Sequence, residues 1–141
     1  MATLEVRPLS FLDGRGSPNE YSSRAAGLAL AVATYDPNHF FAVNRYLFEN
    51  QPQEGTYGPE NSVLLNKISS LGVQNMDKIS AAVNDGRFKK WVVSNSQDIF
   101  KANPDLAASG TPYVTVNGKK YSGAIDNAAQ FAQFVTGIAG N

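Results

Sequence analysis

Along residues 18–34, Tyr21, Ala25, Leu28, Ala29 and Val32 recur three and four positions apart. That period puts them on one stripe and predicts an amphipathic helix. Ser17, Pro18 and Glu20 stand at its start as N-cap, N1 and N3. They form a capping box, in which hydroxyl and carboxylate each satisfy an orphan amide. Asp36-Pro37 repeats the start signal ahead of Phe40, Phe41, Val43, Leu47 and Phe48, a second helix ended by ENQPQEGTYGPE. A third helix follows Pro59, with Val63, Leu64, Leu65, Ile68 and Leu71 apolar and Gly72 at the C′ position. A short fourth covers residues 76–83. A fifth runs from Arg87 to about Ala102, with Phe88, Trp91, Val92, Ile99 and Phe100 as its buried face, and Pro104 stops it. The closing helix, Asn127 to about Ile138, presents Ala128, Phe131, Ala132, Phe134, Val135 and Ile138, a face able to cover a sheet.

Period two appears in only two places. Leu4, Val6, Leu9 and Phe11 alternate around Pro8 in residues 3–12, which predicts an opening strand with Pro8 at an edge, bulge or strand end. Val114, Thr115 and Val116 read as a second strand, Asn117-Gly118 as a hairpin turn and KKYSG as the returning strand. The order is one strand, four or five helices, a hairpin and a closing helix. This describes a small α/β or α+β domain with a helical insertion. No repeat, linker or low-complexity segment divides it, and three strands make a thin sheet for so many helices.

Twelve Lys+Arg balance twelve Asp+Glu over 141 residues. The chain therefore lacks the electrostatic footprint of a nucleic-acid or anionic-membrane binder. No apolar run is long enough for a membrane span, and no secretory signal pattern opens the sequence. Cysteine is absent, which excludes thiol nucleophiles, disulfides and thiolate metal sites within the chain. The single histidine, His39, excludes a two-histidine metal site and reads as a surface or capping residue in a first helical turn.

Candidate chemistry is sparse. Glu5, Arg7 and Arg24 read as surface charges, and no carboxylate pair has a spacing that singles it out for acid–base work. DGRG at 13–16 lacks a phosphate-binding fingerprint. Lys89-Lys90 and GKK at 118–120 read as solvated faces, and Tyr35, Tyr57, Tyr113 and Tyr121 as locally packed loop residues or the lining of a groove. Gly110-Thr111-Pro112-Tyr113 stands out, because a proline at a strand mouth cannot donate a ladder hydrogen bond. It is either the first residue of an edge strand or the second half of a cis Thr111–Pro112 bond. In the latter case the amide and carbonyl of Thr111 turn out of the ladder, where an extended peptide can pair with them.

LEVRPLSFLD, SPNEYSSRAA, LFENQP, NDGRFKKWV and GTPYVTVNGK follow one another over nearly the whole chain. Together they closely resemble the DsbA-like branch of the thioredoxin fold, the thiol–disulfide oxidoreductases of the bacterial cell envelope, and especially its actinobacterial members. The resemblance implies a thioredoxin-like α/β fold in which residues from 18 to about 102 are the helical insertion of this branch. It implies that Gly110-Thr111-Pro112 is the cis-proline loop that guides substrate. Gly110, Thr111, Pro112 and Tyr113 are the predicted substrate-binding residues, and the partner is an extended or unfolded polypeptide. No cofactor and no metal are implied, and the location is extracytoplasmic, in the cell envelope or secreted.

The departure matters as much as the match. Members of this family open with a strand and a helix that starts with Cys-x-x-Cys, where the helix dipole and neighbouring groups lower a thiol pKa for attack on disulfides. This chain begins at what would be the family's second strand. Residues 1–141 are thus predicted to form a single DsbA-like domain that lacks its N-terminal βα element, with no catalytic residue of its own. The implied function is the C-terminal portion of an oxidoreductase that forms or isomerises disulfides in exported proteins. The alternative is a redox-inactive peptide-binding or assembly module on a degenerate fold. Three origins stand open: a piece of a longer chain, since Met1-Ala2-Thr3 leads at once into strand residues; a natural degenerate protein; and another arrangement of the same elements. In the first two a missing strand leaves an open sheet edge, so a homodimer or a bound strand is expected.

Overall fold

A computed structural model describes residues 3–139; Met1 and Ala2 of the expected lead-in lie outside the described residues. The helices are α1 (Tyr21–Tyr35), α2 (Phe40–Glu49), α3 (Asn61–Ser70), α4 (Met76–Asn84), α5 (Arg87–Ala102), α6 (Pro104–Ser109) and α7 (Ala128–Ala139). A 3-10 turn at Pro37–His39 precedes α2, and strands β1 (Thr115–Val116) and β2 (Lys119–Lys120) form an antiparallel pair. The chain divides into two compact units, Met1–Ile99 and Phe100–Asn141, with the boundary inside α5.

In the first unit α1 is the hub, packed against α2 and α4, while α3 packs on α4. Leu28, Ala29 and Val32 of its predicted stripe are buried, joined by Val43 and Leu47, Leu64 and Ile68, Val73, and Ile79 and Ala82. The i, i+4 pairs on α2 and α3 are the minimum that a short helix needs to meet one neighbour. This is why Phe41 and Phe48, expected inside, stand 58% and 66% exposed. On α5 the buried stripe runs through Val92 and Ser96, and Trp91, one position round the helix, is 51% exposed. The end of α3 follows its sequence: Gly72 has φ 86°, and the amides of Gly72 and Val73 return to the carbonyls of Ser69 and Ile68 in a Schellman motif.

The start of α1 does not. Pro18 and Glu20 lie outside the helix, and Glu20 has a left-handed backbone with φ 56°. Asn19 exchanges hydrogen bonds with the backbone of Gly58, at 2.8 and 3.1 Å, which holds this turn to a distant loop. The capping work moves upstream: Ser17 Oγ accepts from the amide of Ser22 and Asp13 Oδ1 from that of Ser23. The Glu20 carboxylate, released from the box, pairs with Lys89 Nζ at 2.6 Å.

The opening strand is also absent. Residues 3–10 are irregular, with Leu4 68% exposed. A strand is a pairing rather than a property of one segment, and this segment has no ladder partner among the described residues. The amide of Ser10 donates instead to Ser96 Oγ at 3.0 Å, and the two hydroxyls lie 3.3 Å apart, so the segment is pinned to α5 by side chains.

In the second unit Pro104 stops α5 as predicted but also opens α6 as its N1 residue, an element that the residue pattern did not announce. The hairpin forms where expected, with Asn117 and Gly118 at φ 48° and 78°, the pair of positive values that a type I′ turn demands. Among the described residues the sheet has two strands instead of the expected three. Its face is correspondingly small, and among the described residues none of 128–138 in α7 is fully buried.

Candidate functional site

The predicted loop lies wholly in the second unit. Helix α6 ends at Ser109, and Gly110 caps it with φ 75° and ψ −170°, its amide donating to the carbonyl of Leu106 at 3.1 Å. A residue with a side chain rarely adopts that φ. The Thr111–Pro112 peptide bond is cis. Thr111 and Pro112 are exposed, Tyr113 and Val114 are half-buried, and β1 begins at Thr115. The loop is therefore presented between a helix end and a strand start.

Lys120 braces it from the returning strand. Its ammonium donates to Ser109 Oγ at 2.6 Å and sits 5.2 Å from the ring centre of Tyr113, a cation–π contact. One side chain thus ties the end of α6 to the first residue after the proline. The sequence reading as a solvated face missed this role, since nothing in a lysine pair tells which side of a hairpin it lies on.

Tyr121, just past β2, packs edge-on against Phe131 and tilted against Phe134, each with ring centres 5.2 Å apart. Its hydroxyl donates to the carbonyl of Ala124 at 2.9 Å. Gln130 Oε1 accepts from the amide of Ala124 at 3.0 Å. This aromatic cluster holds α7 to the hairpin. Tyr35 packs on Phe88 in the first unit, and Tyr57 is 76% exposed.

Two charged residues in the first unit prove more committed than their sequence suggests. Arg24, expected on the surface, is half-buried: Nε donates to the carbonyl of Asn19, and Nη1 to the carbonyl of Pro59 and to Asn61 Oδ1, at 2.8–3.0 Å. Asp36 is buried, and its Oδ2 lies 2.7 Å from both the amide of Gln74 and Nδ1 of His39. The Gln74 amide, then the His39 ring, hold its carboxyl below the usual aspartate range, against the opposing effect of burial. His39 accordingly serves a local pairing with Asp36, and its side chain makes no cap hydrogen bond at the start of α2.

A groove of about 600 Å³ runs beside α1, α4 and α5, past Arg24, Asn84, Asp85, Lys89 and Gln97. Three of its charged groups are already engaged, Arg24 with the Asn19 and Pro59 carbonyls, Asp85 with Arg87 and Lys89 with Glu20. No nucleophile faces a base there. Among the described residues no group of acids and histidines could hold a metal ion, and no helix is long and apolar enough to cross a membrane.

No curated protein and no solved structure matches the sequence. The family comparison is positive: residues 11–136 match the family described as Thioredoxin. That span takes in the helical unit, the Gly110–Tyr113 loop, the hairpin and most of α7. The chain belongs to the thioredoxin family.

Proposed function

We propose that this chain is the substrate-binding portion of a DsbA-like thiol–disulfide oxidoreductase acting on exported proteins, and that it holds an extended polypeptide at Gly110, Thr111, Pro112 and Tyr113. The observation that carries the reading is the exposed loop between α6 and β1, in a chain that matches the thioredoxin family through that loop. Extended polypeptide is recognised through its main chain, and a backbone unpaired beside a strand start offers donors and acceptors for it. Pro112 keeps a donor out of the β1 ladder, and Tyr113, steadied by Lys120, supplies an aromatic flank.

Exchange of disulfides needs a thiolate, and the chain contains no cysteine. Its own residues bind and orient; the sulfur chemistry belongs to a Cys-x-x-Cys outside these residues. The same absence favours a second reading, a redox-inactive peptide-binding module. Bases upstream of the Met1 codon separate the two: an in-frame Cys-x-x-Cys supports the oxidoreductase, and a stop codon the module.

Binding itself is tested by titrating the chain with an unstructured, cysteine-free peptide while following backbone amide resonances. Shifts confined to residues 110, 111 and 113, and lost in Pro112→Ala, are expected. Shifts elsewhere, or none, would overturn both readings.

A further inference from the structure

The two faces of the hairpin carry different groups. Thr115 stands opposite Lys120 in the register, and side chains alternate along each strand. Tyr113, Thr115 and Lys120 therefore share one face. Lys119 lies on the other, the face on which Tyr121 meets the rings of α7. Two lysines that are alike in the sequence thus have different surroundings.

Lys120 is held at two points, by Ser109 Oγ at 2.6 Å and by the ring of Tyr113, whose centre lies 5.2 Å from the ammonium. Both partners are neutral. No carboxylate among the described residues forms an ion pair with it. From 106 to 125 the charged residues are Lys119 and Lys120 alone. The side-chain carboxylates of the second unit lie outside that stretch: Asp105 is in the first turn of α6, away from Ser109 at its end, and Asp126 lies beyond the hairpin. An ammonium has three N–H donors, and Ser109 takes one of them. The brace therefore holds an exposed positive charge with donors to spare.

We propose that Lys120 makes the loop selective for polypeptides that carry an aspartate or glutamate beside the segment held there, its remaining N–H groups donating to that carboxylate. The inference rests on the loop reading above and adds a chemical class of substrate to it. Tyr113 brings the two contacts together, since it flanks the loop and its ring carries the ammonium. An exposed ion pair ordinarily gains little, because ordering two long side chains offsets the attraction. Lys120 is already ordered before a peptide arrives, so only the side chain of the peptide remains to be fixed.

Two unstructured, cysteine-free peptides that differ only in carrying glutamate or glutamine at the same positions test this. Each is titrated into the full chain while the amides of residues 110, 111 and 113 are followed. The glutamate peptide should bind about fivefold tighter. Raising salt to about 1 M, where screening acts within about 3 Å, should bring the two affinities together. Lys120→Gln should abolish the difference and Lys120→Arg should keep it. Lys119→Gln, which removes the same charge from the opposite face, should keep it too. A brace with a structural role alone would weaken both peptides alike in Lys120→Gln and leave their ratio unchanged. Equal affinities in the parent, a ratio unchanged in Lys120→Gln, or one lost as fully in Lys119→Gln overturns the selectivity. The loop reading survives each of these results, because both peptides still shift the loop. Where Lys120→Gln fails to give a folded amide spectrum, the parent decides, and a ratio that persists at about 1 M salt overturns the proposal. Loop shifts with neither peptide overturn the loop reading itself, and the selectivity with it.

Discussion

Gly27 of α1 lies against the backbone of Lys89 in α5 so closely that a β-carbon at position 27 would stand 2.9 Å from the Lys89 nitrogen and 3.2 Å from its α-carbon. The neighbour is main chain inside a helix and cannot swing aside. Gly27→Ala gains about 1 kcal/mol of helix propensity but overpacks the crossing at a cost of about 1–3 kcal/mol. Gly27→Val adds still more bulk with a smaller gain in propensity. The expected order in urea midpoints is parent, then alanine, then valine. A midpoint raised by valine would show that the two helices part freely.

Asp36 predicts an acid response. Its folded pKa lies below the ordinary 3.8 because the Gln74 amide and the His39 ring favour the carboxylate. A depressed folded pKa contributes stability that is complete above the unfolded value and is lost as pH falls through the folded value. Asp36→Asn should therefore be less stable than the parent at pH 7, and the gap should shrink only below about pH 4. Thermal midpoints of the two proteins from pH 7 to pH 2 check this. A gap that stays constant into acid would assign the loss to shape rather than charge.

Gly123 lies beside Tyr121, where an added β-carbon would meet the phenol oxygen at 2.4 Å and Gln130 Oε1 at 2.7 Å. The ring is wedged between Phe131 and Phe134, and Gln130 is engaged by the amide of Ala124, so neither yields without loss. Gly123→Ala should destabilise the hairpin–α7 contact by about 1–3 kcal/mol. Hydrogen exchange should quicken at Tyr121 and Ala124, whose amides bond Val114 O and Gln130 Oε1, while amides of α1 to α4 keep their protection. Unchanged exchange at those two residues would contradict the account.

Helices were legible where one cause dominated. The helix expected from Arg87 to about Ala102 is α5, because its period is strong and Pro104 bounds it. Asn117-Gly118 located the hairpin because few other residue pairs take two positive φ values. The capping box failed because Asn19 gains more from the backbone of Gly58, a neighbour that sequence distance hides. In the sequence Asp36 carries only a helix-start signal, although in the structure it is the buried acid on which the Gln74 amide and His39 converge. Its partner Gln74 lies in the loop between α3 and α4, with no short-range sign of it.

The sequence by itself determined the helical periods, the hairpin turn, the absence of thiol chemistry and the position of the proline loop. These depend on local backbone preferences and on which atoms are present. Tertiary structure alone decided which apolar residues went inside, that Ser10 would bond Ser96 in place of a strand partner, and that the sheet would stop at two strands. Burial and strand pairing require two segments to meet. A single segment carries the capacity for a contact but not its partner, which is why Leu4 and Val6 alternate like a strand and still form none.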